Sequence, residues 1–191
     1  RISSSCAIAA AFDRIRLGRA GLACAGGTDA FHEIVQAGRP DGGCGDALGE
    51  GAVLLVLESE ARARARGARI AGLLAGVGQT ADFRFEEAMR LALAEAGWRA
   101  EEVDQVHVSS CGRSGLADRE REAAARTAPS AKTVFVTAQT GDTLGASGAV
   151  QLAAALVGTP DGGKGGSRRC LVFTSDPGGD AVCLAVQGVD A

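Results

Sequence analysis

A chain of 191 residues with 46% hydrophobic and 23% charged side chains is long enough to bury a substantial core and too apolar to stay disordered. A formal charge of −3, aromatics at 4% and no Tyr remove the basic surface and the stacking platform that nucleic acid or an anionic membrane would need. No apolar run approaches the ~20 residues that span a bilayer, and the sequence opens at Arg1 without a signal-like segment, which leaves room for sequence upstream.

Residues 3–17 (SSSCAIAAAFDRIRL) begin with serines, end basic and are followed by Gly18, which predicts a helix. A short apolar run at 22–25 is expected to stop at Gly26-Gly27, and a loop rich in Gly and Asp covers 28–50. AVLLVL at 52–57 reads as a strand. The charged ESEARARARGAR behind it reads as an exposed helix ending at Gly67. From residue 70 strands and helices alternate: strand 70–77, helix 85–96, strand 106–109, helix 118–127, strand 133–136, helix 145–157, then strands 170–174 and 181–186. Such alternation predicts an α/β fold with a parallel sheet covered by helices on both faces. Interleaved acids and bases at 58–66 and 118–126 read as solvated helix faces.

The order helix, strand, Gly-rich turn, strand at 3–57 returns at 145–187. Residues 70–191 make a complete βαβαβαββ unit, whereas residues 1–69 hold only a closing αββ. The first unit lacks three strands and could not bury its core. Another polypeptide or an upstream segment is expected to supply them, and the chain is not expected to be stable alone.

The six cysteines, Cys6, Cys24, Cys44, Cys111, Cys170 and Cys183, show no CxxC spacing. Cys24, Cys170 and Cys183 lie in apolar runs and read as small buried hydrophobes in a reducing compartment. With His32 and His107 the only histidines, no metal site is expected. His107 alternates with Val106 and Val108 and reads as a satisfied strand histidine, and His32 as an exposed loop residue. GGTDA and GEGA are turn glycines; no phosphate cradle and no cofactor is predicted.

LGRAGLACAGGTDA, GEGAVLLVLESEARARARGARI, AEAGWRAEEVDQVHV, TGDTLGASGAV and the closing DPGGDAVCLAV resemble, in order, successive blocks of the β-ketoacyl synthases. The loops at 28–46 and 158–168 are shorter than that family usually carries. The resemblance implies a thiolase-like fold, a five-layered α-β-α-β-α body built from two βαβαβαββ repeats, here with the N-terminal repeat incomplete.

It also implies a chemistry, and the residues at the matching positions depart from it. The family uses a Cys nucleophile at a helix N-terminus, two His that polarise the thioester carbonyl, a Lys that supports one His, and an oxyanion hole. Counting back from LGRAG puts the nucleophile position at Arg1. The first His position falls on Ser109, the Lys position on Thr137 and the second His position on Asp142. The residue whose N–H would complete the oxyanion hole is Pro177, which has none. No catalysis of condensation is expected. The pattern resembles the chain-length factors, ketosynthase-like subunits without that set.

That resemblance implies a heterodimer with an active ketosynthase, service by an acyl carrier protein, and a place in a cytoplasmic bacterial type II polyketide, polyene or fatty-acid-type system. Because the family dimerises near its nucleophile segment, Ser3, Ser4, Ser5, Ile8 and Phe12 are the expected interface residues. One enzymatic alternative stays open. Cys6 in SSSCA resembles the nucleophile's context, though placing it there deletes five residues from the helix and rotates its remaining turns by about 140°. Cys111 in SSCGRS follows a predicted strand end. Either would make the chain a cysteine-dependent acyltransferase or thioesterase. Asp142 reads most simply as an acid near a helix start.

Overall fold

Period-two alternation makes 51–58 an unambiguous strand, with Val53, Leu55 and Leu57 packed inward while Leu54 and Val56 point the other way. In the computed structural model, which describes residues 1–30, 47–109, 115–157 and 168–189, this strand is β2 (Gly51–Glu58). It pairs antiparallel with β1 (Leu22–Asp29), Leu22 opposite Glu58 and Asp29 opposite Gly51. β1 therefore runs straight through Gly26-Gly27, where the sequence suggested a stop. A Cβ on Gly26 would lie 2.0 Å from the Val53 carbonyl oxygen, and one on Gly27 2.8 Å from Ser4 Cβ. These glycines mark close approach of neighbouring backbone rather than a break.

Helix α1 (Ser3–Arg16) ends with Arg14 and Arg16 in its last turn and Gly18 in the left-handed region at φ +69°, as the sequence signals predict. Helix α2 (Glu60–Ala65) is capped by Ser59, whose hydroxyl accepts from the Arg62 N–H. Beyond it lie strands β3 (Gly72–Thr80), β4 (Gln105–His107), β5 (Lys132–Val134), β6 (Arg169–Ser175) and β7 (Ala181–Gly188). They form one sheet in the order β3-β7-β6-β4-β5. β4 runs parallel to β5 and β6, but β7 is antiparallel to both β6 and β3. The sheet is mixed rather than parallel because the five-residue connection at 176–180 can join only antiparallel neighbours; a parallel pair needs a crossover.

The helices of this half are α3 (Phe85–Ala96), α4 (Gly115–Thr127), α5 (Thr137–Thr140) and α6 (Ser147–Val157), with 3₁₀ turns at Ala100–Glu102 and Leu144–Ala146. Side-chain parity on β6 and β7 divides the interior in two. Leu171, Phe173, Cys183 and Ala185 face α3 and α4, packing with Phe85, Met89 and Ala124. Cys170, Val172, Val182 and Leu184 face the opposite way, packing with Ile8 of α1, Leu152 of α6, and Val53 and Leu55 of β2. The layers run β1–β2 ribbon, α1 with α6, five-stranded sheet, α3 with α4. Four of the five expected layers are present, and among the described residues the outer face of the ribbon carries none: Leu54 is 73% exposed and Val56 63%.

Candidate functional site

The five positions singled out by register fall into three structural groups. Arg1, just before α1, and Asp142, in the turn between α5 and α6, meet directly: an Arg1 guanidinium nitrogen lies 2.6 Å from Asp142 Oδ2, with side chains 4% and 0% exposed. Asp142 Oδ1 also accepts from the Leu144 N–H at 2.9 Å and the Ser147 hydroxyl at 3.3 Å. The backbone of Asp142 is bonded to Ala47 and Gly49, on the segment leading into β2. Asp142 thus ties the start of α1, the entry to β2 and the start of α6 to one carboxylate. A guanidinium stays protonated throughout the working pH range and cannot act as a nucleophile or a base.

Ser109, at the end of β4, and Ser175, at the end of β6, both donate their hydroxyls to the same oxygen of Glu120, Oε1, at 2.5 Å. All three side chains are fully buried. Sequence reasoning missed Glu120 as a site residue, because the charge alternation of DREREAAAR reads as a solvated face. The signal that could have found it is its spacing from Ala117, Ala123, Ala124 and Thr127, which with Glu120 form the buried stripe of α4. Thr137, at the start of α5, is buried with a hydroxyl that has no hydrogen-bond partner among the described residues.

Pro177 sits in the exposed turn between β6 and β7. The other amides of that turn are already engaged. Gly178 N–H and Asp180 N–H donate to Asp176 Oδ1 at 2.9 and 3.2 Å, Gly179 N–H donates to the Asp176 carbonyl, and Asp176 N–H to the Asp180 carbonyl. No N–H in the turn remains to face a thioester oxygen.

Cys6 is the fourth residue of α1, and its N–H donates to the carbonyl of the N-cap residue Ile2. Burial, then the nearby Asp180 and Asp176 carboxylates, push its thiol pKa up, the reverse of what a nucleophile needs. Burial likewise raises Cys170 to about 11 and pushes Cys183 higher still. Cys24, expected in the core, is exposed because it falls on the open face of β1. Cys44, Cys111 and His32 lie outside the described residues. His107 is fully buried, with burial and then Arg168 lowering its pKa to about 4. It contacts Gln105 Oε1 at 3.2 Å through Nε2, but among the described residues Nδ1 has no partner, where the sequence led us to expect a satisfied histidine. Among the described residues no cluster of His, Cys, Asp and Glu could hold a metal ion.

The expected interface is corrected by the packing. Ser4, Ser5 and Ile8 are buried inside the chain itself: Ser4 Oγ accepts from the Ala149 N–H at 3.1 Å, and Ser5 Oγ accepts from the Thr174 hydroxyl at 2.8 Å. A helix sandwiched between two sheets cannot offer that face to a partner. Only Ser3 is exposed and Phe12 partly so.

No established family profile matches the chain. Nodulation protein E of Rhizobium meliloti is 42% identical over 134 residues, 58% of this chain and 33% of that protein. A β-ketoacyl synthase from Burkholderia phymatum superposes with a TM-score of 0.84 and 25% identity, over 99% of this chain and 60% of that one. In sequence and in fold the chain is similar to ketosynthase-like proteins. The ishigamide ketosynthase/chain length factor shares the same thiolase-like fold, with a TM-score of 0.81 at 24% identity over 99% of this ketosynthase-like chain and 59% of that one. This ketosynthase-like chain spans about a third (33%) of the length of the curated relative it matches. No helix among its described residues is long and apolar enough to cross a membrane.

Proposed function

We propose that the chain is a non-catalytic, chain-length-factor-like subunit that pairs with an active ketosynthase and acts on acyl chains delivered by an acyl carrier protein. The observation that carries this reading is the buried Arg1–Asp142 ion pair. By register these two residues stand at the nucleophile position and one of the histidine positions. A permanently charged guanidinium clamped to a carboxylate can neither accept an acyl group nor polarise one. The turn around Pro177 supports it, since loss of a single oxyanion donor costs roughly 10²–10³ in rate and here every amide of the turn is engaged. The ishigamide ketosynthase/chain length factor, whose fold the chain shares, supports pairing as its working form.

The alternative, acyl transfer or thioester hydrolysis through Cys6 or Cys111, gains nothing from the geometry at Cys6, whose thiol is held protonated beside two carboxylates. Reconstitution tests the proposal. Elongation of carrier-bound malonyl units is expected from the chain mixed with an active ketosynthase from the same genome, and none from the chain alone. Product from the chain alone would overturn it.

A further inference from the structure

No further inference is drawn: the strongest candidate, the surface pocket between α3 and α4 where Arg119 stacks on the exposed ring of Phe83, carries nothing, because its other arginines, Arg84, Arg90 and Arg126, are already paired with Glu86, Glu87 and Glu122 and nothing in the structure shows what would fill it.

Discussion

Arg1 and Asp142 are 141 positions apart, and their union is the kind of contact that only a folded chain discloses. Breaking one side of a buried ion pair strands a charge, so Asp142→Asn should cost roughly 3–5 kcal/mol in denaturant unfolding. Adding Arg1→Met should recover part of that loss, giving a coupling energy of about 1 kcal/mol or more in the double-mutant cycle. Strictly additive losses would show that the pair does not organise this junction. His107 sets a second residue-scale test. Its folded pKa of about 4 lies below its ordinary 6.5, so between those values the unfolded state binds the extra proton, and stability falls as pH falls through this window. From pH 7.5 to pH 5 the share of stability lost through His107 is about 2 kcal/mol, and His107→Leu should abolish that share. Equal pH dependence in parent and variant would contradict the burial of a neutral imidazole. At this scale the sequence marked Arg1, Ser109, Thr137, Asp142 and Pro177 as departures from the pattern it resembles. It hid Glu120, because a single carboxylate turned inward leaves the charge alternation of its helix unchanged.

At the level of elements, the crossing of α1 and α6 holds the centre together through small residues. A Cβ on Gly148 would lie 1.9 Å from Ser5 Oγ, so the helices meet with no room for a methyl group. Helix propensity alone would make Gly148→Ala stabilising by up to about 1 kcal/mol. Packing should win instead, with Gly148→Ala lowering stability by about 1–3 kcal/mol and Ser5→Ala relieving part of the loss. A higher melting temperature for Gly148→Ala would mean that the two helices do not pack this closely. Most elements were legible because each carries its own punctuation: Gly18, Gly67 and Gly97 end their helices at φ near +68° to +69°. Gly26 and Gly27 carry the same letter with another cause, the approach of Val53 and Ser4, and a linear reading cannot separate the two. The same blindness to the third dimension put Ser4, Ser5 and Ile8 at an interface when α1 is enclosed on both sides.

For the whole molecule, α1 and α6 lie between the β1–β2 ribbon and the five-stranded sheet. Three β/α layers are closed against one another, and among the described residues the ribbon is covered on one face only. The central claim, that the chain itself forms no acyl intermediate, is tested most directly by intact-mass measurement after incubation with acyl and malonyl thioesters of a carrier protein. The account predicts the unmodified mass, with or without the ketosynthase present. An acyl adduct on this chain that disappears in Cys6→Ala would contradict it.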